Sequence, residues 1–433
     1  MKRKKEKKMK SKKASKGKTT VLKVLSAILA LLIVFAGVTT VITLKGVNEN
    51  LEKAKSFPDA QCQQINVENT PDGAWNIYSD DGLKVMQLSD IHLGGGWMSH
   101  KKDAMALNAV AAMITAEKPD FVIVTGDITY AVPIFAGTIN NKNGAKIFAE
   151  LMETLGVYWT ATFGNHDQEA YGLYDLSEIT EFYAQYPHCL MRKGPENIDG
   201  YGNQVFNIVK SNGVITRSLF TVDSHSYTKD NPLGIFLKYD NVHENQIEWY
   251  RETIEKNNNH NRMKLYSSSD SNFAKENPTA GNIRTSVFLH IPLKEYKDAW
   301  VEYVDAGYKD TVNVIHKYGT AGESGEIVFH GHVEDNFFET MQELYSTDTV
   351  FCGHDHLNNF SLNYKGIQLT YSPTIDYIAY SGISKLGTQR GCTVIEIGKN
   401  GEIEWSAENY YQDKYVSHYE KEEVTMQELG VTE

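Results

Sequence analysis

An α/β body of stacked sheets flanked by helices, attached to one membrane-spanning helix, is what this sequence of 433 residues predicts. Three observations carry that reading. Between Leu83 and Phe163, short apolar runs alternate with segments of helical period in the order βαβαβ. Beyond Val205 the apolar runs continue while helix-period segments thin out, a pattern of sheets covered by helices. Ahead of all this, Val24–Leu44 holds 21 residues without a charge.

The N-terminal elements come first. Residues 1–45 carry 13 Lys/Arg and one Glu, and the remaining 388 carry 30 basic and 54 acidic side chains. As a helix the apolar run spans about 31 Å, close to the ~30 Å of a bilayer's hydrocarbon. Eleven basic residues within 2–18 put the N-terminus in the cytoplasm by the positive-inside rule, and the acidic body outside. A cleaved signal peptide is the rival. Its apolar stretch is usually about 7–15 residues and ends in small residues, whereas this run ends Thr-Thr-Val-Ile-Thr-Leu, which favours an uncleaved anchor. The expected division is a basic cytoplasmic tail (1–23), a transmembrane helix (24–44), a polar stalk (45–80), the body (81–412) and an acidic tail (413–433).

In the body, Leu83–Leu88 is the first expected strand. Asp103 is placed to cap a helix with apolar positions at Leu107, Val110, Ala111 and Ile114. Phe121–Val124 is the next strand, Ala145–Leu155 the next helix and Val157–Phe163 the third extended run. Val205–Val209, Ser218–Val222, Val287–Ile291 and Val350–Cys352 come next as strands, with Gln246–Lys256 an amphipathic helix. Phe360–Tyr371 and Thr393–Trp405 read as hairpins, the second turning at Lys399-Asn400-Gly401. The Asn- and Ser-rich stretch 257–282 reads as a surface loop. The acidic body excludes general nucleic-acid binding, which needs cations against phosphates. Four Cys without a Cys-x-x-Cys pair exclude a disulfide scaffold and a thiolate zinc site.

The chemistry gathers where the strands end. Asp90 and His92 follow the first strand, Asp127 the second, and Asn165, His166 and Asp167 the third. His290 follows Val287–Leu289, and His354 and His356 follow Val350–Cys352. In an open α/β sheet this edge presents ligands. Asp, His and an Asn carbonyl exceed the need of one divalent ion and match two ions sharing a carboxylate. Imidazole mixed with carboxylate suits first-row metals such as Mn, Fe or Zn rather than an all-oxygen calcium site. Glycines 126, 164 and 353 allow close backbone approach.

The order Asp-x-His, Gly-Asp, Gly-Asn-His-Asp, His, Gly-His-x-His resembles the calcineurin-like metallophosphoesterase superfamily, over roughly residues 83–372. Phe288–Tyr296 and Val350–Phe360 resemble its purple-acid-phosphatase-like branch. The resemblance implies a four-layer αββα sandwich of two mixed sheets. It implies Asp90, His92, Asp127 and His356 around one divalent ion, with Asp127 bridging to a second ion held by Asn165, His290 and His354. His166 would protonate the leaving oxygen, with Asp167 orienting it. One departure stands out. Purple acid phosphatases lack the His of Asp-x-His and use a Tyr in Gly-Asp-x-x-Tyr, while this chain has both His92 and Tyr130. His92 is the expected ligand, with Tyr130 behind it or beside substrate.

The function expected is a membrane-anchored, dinuclear-metal-dependent phosphoesterase. It would hydrolyse a phosphate monoester outside the cytoplasmic membrane by attack of metal-bound hydroxide, with His166 as general acid. The alternative is a phosphodiesterase acting on lipid head groups, nucleotides or wall polymers, and the remaining reading is a non-catalytic metal-binding module. His330-Gly-His332, Asp223-Ser224-His225 and Cys352 read as a surface loop, a strand end near the pocket and strand packing, respectively. Asp355 is open between a ligand-supporting place and exposure. Trp97, Met98 and His100 are open between substrate contact and packing on the domain.

Overall fold

The computed structural model describes residues 2–266, 279, 281–380, 383, 390–419, 421, 422 and 424, with side chains before residue 20 described at 5 and 9. Two mixed sheets stack face to face with helices outside each, giving the four-layer αββα sandwich. The smaller sheet has the order β14 (Ile403–Asn409), β13 (Gly391–Gly398), β3 (Gly82–Leu88), β4 (Phe121–Thr125), β5 (Tyr158–Thr162). The larger runs β1 (Asn66–Asn69), β2 (Trp75–Tyr78), β6 (Gln204–Val209), β7 (Ile215–Thr221), β8 (Arg284–Phe288), β10 (Thr347–Cys352), β12 (Ile367–Tyr371), β11 (Ser361–Tyr364), β9 (Val314–Tyr318).

The short apolar runs are explained by burial on both faces. In β4, Phe121 and Ile123 face the layer between the sheets, while Val122 and Val124 face the outer core under α2 (His100–Glu117) and α4 (Asn141–Leu155). In β10, Phe351 lies between the sheets, and Val350 and Cys352 face the core on the other side. Arg217 ties the two sheets together. It is fully buried, grips Asp348 with two bonds of 2.7 Å, and donates to Ser286 Oγ and to the Gly401 carbonyl in the β13–β14 turn.

Four expectations need correction. The first is the stalk. α1 (Lys2–Ser56) continues from the apolar run without a break, and Val47, Leu51, Ala54 and Phe57, spaced at helical intervals, are buried with α2 and α4. The chain then adds β1 and β2 to the edge of the larger sheet, so 45–80 is part of the body. The second is the loop 257–282, whose first third is the end of α6 (Glu244–Leu265). Asn257, Asn258 and Asn261 are buried, whereas Asn259 is exposed. Asn261 pairs both ways with the Ile215 backbone, Asn258 accepts from Ile283 N, and Asn257 donates to Asn207. Most of 267–282 lies outside the described residues.

Third, Asp103 does not cap α2; it sits one turn inside and accepts from Gly94 N, Gly95 N and Ser99 Oγ. Fourth, the acidic tail is not free at its start. Tyr415 is buried, Asn108 Oδ1 accepts from the backbone of His418 and Tyr419, and Glu422 pairs with Arg390. Residue 420 and most residues beyond 422 lie outside the described residues. Thr20–Ser56 is the one helix among the described residues long and apolar enough to cross a membrane; it could be a membrane span or a signal sequence.

Candidate metal centre

The strands that run parallel in each sheet release their chemistry at one edge. β3, β4 and β5 are parallel, as are β7, β8, β10 and β12. The loops leaving them bring the seven metal-ligand candidates together. His92 Nε2 lies 3.1 Å from Asp127 Oδ2, and His356 Nε2 3.2 Å from Asp90 Oδ1. Donor atoms of Asp90, His92, Asp127 and His356, all buried, lie within 4.8 Å of one another, a group that could hold a metal ion. On the other side of Asp127, His290 Nε2 is 3.4 Å from Oδ2, 3.1 Å from Asn165 Oδ1 and 3.3 Å from His354 Nδ1.

The backbone is bent to make this possible. Asp90, His92, Asp127 and His354 adopt φ of 51°, 55°, 53° and 75°. Each such non-glycine residue costs about 1–3 kcal/mol. Hydrogen bonds hold the bends: Asp90 N to the Gly126 carbonyl (3.2 Å), His92 N to the Asp127 carbonyl (3.0 Å) and His354 N to Asp90 Oδ2 (3.1 Å). Gly126 has no substitute here, since its φ is +80° and a Cβ would come within 2.7 Å of His290 Nδ1.

The charges ask for a cation. Burial pushes the Asp90 carboxyl up, but the charge and hydrogen bond of His356, with His290, hold it down at about 2. Burial also raises Asp127, and His290, His166 and His92 outweigh it and hold it well below the usual range. Burial lowers His92 and His290, yet their carboxylate partners bring each up to about 9. Burial and the charge of His290 push His354 well below its ordinary value, leaving it a neutral lone-pair donor. Protons on imidazoles thus supply the positive charge that the carboxylates require when no metal does. His290 Nδ1 lies 2.8 Å from the Thr125 carbonyl, an acceptor that would keep the Nδ1 proton while Nε2 gave up its own to an ion. Imidazole nitrogen, carboxylate oxygen and an amide oxygen fit first-row divalent ions.

Two residues beside the cluster escape a reading by motif. Asp376 lies in the loop after β12. Its oxygens accept from Ile378 N, Ala379 N and Tyr380 N and lie 3.2 Å from His92 Nδ1 and 3.3 Å from His356 Nδ1. One buried carboxylate therefore faces the back of both imidazoles. Glu169 is the second: its Oε1 is 2.7 Å from His166 Nδ1. Asp167 does not orient His166. It turns away and accepts from Thr129 N, Thr129 Oγ1 and Gly164 N. The physical reason is the turn after β5, which sends neighbouring side chains to opposite sides. His166 itself is tied by its backbone N to Asp127 Oδ1 at 2.8 Å.

Aromatic rings line the approach. Tyr130 stacks on His92 at 4.5 Å and meets His166 edge-on at 4.6 Å. Tyr227 accepts from Asn165 Nδ2 at 3.1 Å, and Tyr239 packs edge-on against His354 at 4.4 Å. The remaining candidates have structural engagements. Asp223 accepts from Tyr201 N and His225 N, Ser224 accepts from Ile291 N, and His225 Nε2 meets Gln246 Oε1. Asp355 is buried, accepts from Tyr371 and Phe329 N, and is pushed up to about 7 chiefly by burial. Cys352 is buried and held as a thiol by burial. His330 bonds within its own loop to the Gly331 carbonyl. Trp97 and His100 lie against α1, where Trp97 meets Phe35 edge-on at 6.2 Å and His100 abuts Gly46.

Two stacked mixed sheets with a buried Asp/His cluster at the strand ends define a metallophosphatase-type protein. The calcineurin-like phosphoesterase family matches residues 83–358, more than half of the chain, and the chain belongs to that family. Its relatives place it in the purple-acid-phosphatase-like branch. It is 28% identical over 342 residues to "Probable inactive purple acid phosphatase 14" of Arabidopsis thaliana, covering 73% of this chain and 76% of that one. It is 25% identical over 347 residues to "Probable inactive purple acid phosphatase 29" of the same plant, covering 75% and 79%. It is 26% identical over 348 residues to "Phosphatase DCR2" of Saccharomyces cerevisiae, covering 74% of this chain and 53% of the yeast protein.

Proposed function

We propose that this chain is a catalytically active phosphoesterase with two divalent ions, acting on a phosphate monoester while anchored by its N-terminal helix, with the body outside the cytoplasmic membrane. The observation that carries the reading is the shared carboxylate. Asp127 stands between the trio Asp90, His92, His356 and the trio Asn165, His290, His354. Each trio with Asp127 supplies four donors, enough for one ion apiece. When bound, the ions supply Lewis-acid activation of water and offset phosphoryl charge.

The chain's own residues do the rest. His166 takes a position beside His92 and the shared Asp127, with Nδ1 on Glu169, so that Nε2 is the nitrogen left for a leaving-group oxygen. General acid help of this kind contributes on the order of 10²–10⁴ in rate. Tyr130 fixes the face of His92 and the edge of His166, limiting where a substrate can lie. Mn, Fe and Zn are the ions the donor set suits best.

The test is elemental analysis of the purified full-length protein joined to an assay with 4-nitrophenyl phosphate and its bis-ester after loading with Mn, Fe or Zn. Two ions per chain and preferred turnover of the monoester are expected. A chain that binds two ions and turns over neither ester would be a metal-binding module instead. His166→Ala at unchanged metal content should lose on the order of 10²-fold or more in kcat; full activity would remove the acid role.

A further inference from the structure

The mouth of the site carries more exposed apolar surface than a water-borne substrate explains. Two lips flank it, one from each sheet. The loop after β4 presents Ile134 (73% exposed) and Phe135, beside Met98, whose backbone N bonds the Ala136 carbonyl at 3.1 Å. Phe135 lies 6.0 Å from Tyr130, the ring stacked on His92. The loop after β7 presents Ile235 (69% exposed), Phe236 (72% exposed) and Leu237. That loop is closed by Thr228 N on the Lys238 carbonyl at 3.1 Å and by the Tyr227–Tyr239 bridge. Tyr227 and Tyr239 are the rings that touch Asn165 and His354.

The first lip is continuous with the apolar helix. Trp97, next to Met98, packs on Phe35, which lies inside the uncharged run. In the span Val24–Leu44 Phe35 lies near the middle, so Trp97 holds this lip against a membrane-crossing part of the helix. Exposed apolar side chains on both sides of one opening, one set tied to the spanning helix, match a lipid surface better than scattered exposure does.

We infer that the opening of the metal centre is seated on the bilayer by these two lips, and that the site draws its phosphate ester from lipid-borne molecules. The inference rests on the phosphoesterase and anchor readings above, and the experiment separates them. Full-length protein is placed in phosphatidylcholine vesicles as single-cysteine-labelled variants. The four native cysteines are buried, so a probe goes to the new thiol. Ile134→Cys and Phe236→Cys carry a polarity-sensitive fluorophore; Val312→Cys, 97% exposed before β9 at the opposite end of the sheet, is the reference.

Blue-shifted emission and quenching by nitroxide lipids at 134 and 236, but not at 312, is the expected result. No lipid quenching at 134 and 236, or emission that shifts only as chains associate, would overturn the membrane surface. Turnover is then compared for phosphatidate in the vesicle and 4-nitrophenyl phosphate in water, both with Mn²⁺. Ile134→Asp with Phe236→Asp should raise KM for phosphatidate about tenfold and leave the soluble ester within about twofold. Equal effects on both, or wild-type protein that cleaves only the soluble ester, would overturn the lipid-borne substrate. If neither ester turns over while the lipid quenching holds, the hydrolytic reading fails and the membrane surface stands.

Discussion

The two halves of the candidate metal centre are built from similar side chains but are backed differently. On the Asp90 side, His92 and His356 both have a buried carboxylate, Asp376, behind them, itself fixed by three backbone N–H groups. On the Asn165 side the backing is neutral: the Thr125 carbonyl behind His290, Tyr227 against Asn165 and the Tyr239 ring against His354. A charged acceptor behind an imidazole raises its basicity and strengthens its hold on a cation, while a neutral one mainly orients it. Equal donor counts therefore need not give equal ion affinity. The Asp90 side should hold its ion tightly and the Asn165 side should exchange.

The largest effect should come from the residue both halves share. Asp127→Asn should cost on the order of 10³-fold in kcat/KM, several kcal/mol of lost charge stabilisation, with fewer than two ions retained by elemental analysis. Retention of both ions at full activity would break the picture of a shared carboxylate. Next comes Asp376→Asn. It should weaken the tighter ion alone by about 10–100-fold, so that two separated steps in a metal titration move together. If the looser step moves instead, the assignment of backing to halves is reversed.

Tyr227→Phe should be milder. Loss of one neutral hydrogen bond is worth about 0.5–1.5 kcal/mol, read as a several-fold weakening of the looser step only. A last effect, on stability rather than on ion binding, sharpens the contrast from outside the site. Asp103 is also a buried carboxyl held by N–H and hydroxyl donors, yet it has no imidazole facing it, and burial pushes it up to about 7. A raised carboxyl pKa means the folded state binds the proton more tightly than the unfolded state. Its contribution to stability is therefore present below about pH 4 and lost as pH rises to about 7. Asp103→Asn should flatten the fall in unfolding free energy across that window by an amount on the order of 1–4 kcal/mol, checked by denaturant unfolding at pH 4 and pH 7. Asp376, whose pKa is held well below the ordinary range because His92 and His356 outweigh its burial, should contribute nothing to that slope.

Much of the fold, and most of the residues that the candidate site brings together, are legible in the sequence alone, and the reasons are physical. Strands buried on both faces announce themselves as short apolar runs, and the parallel strand ends carry the candidate ligands immediately after those runs, as with Leu88 before Asp90 and Cys352 before His354. The helix face Val47, Leu51, Ala54, Phe57 is also legible, but its polar neighbours mask it as a stalk. Asn257, Asn258 and Asn261 read as a loop because asparagine favours turns; here tertiary bonds to neighbouring strands and turns override that preference. Asp376 and Glu169 are out of reach for a different reason. Their roles depend on the path of a loop and the direction of a turn, and neither sits in a spacing that marks a partner of His92 or His166.

The unbroken run of α1 from the uncharged stretch into the core has a mechanical meaning. A flexible tether could gain or lose residues without altering how the body faces its surroundings. A continuous rod cannot: each residue inserted near Leu44 turns everything beyond it by about 100° and shifts it by about 1.5 Å. Chain length at that junction therefore acts as an angular setting for the whole domain, and a single added alanine there would swing the opening toward a different quarter.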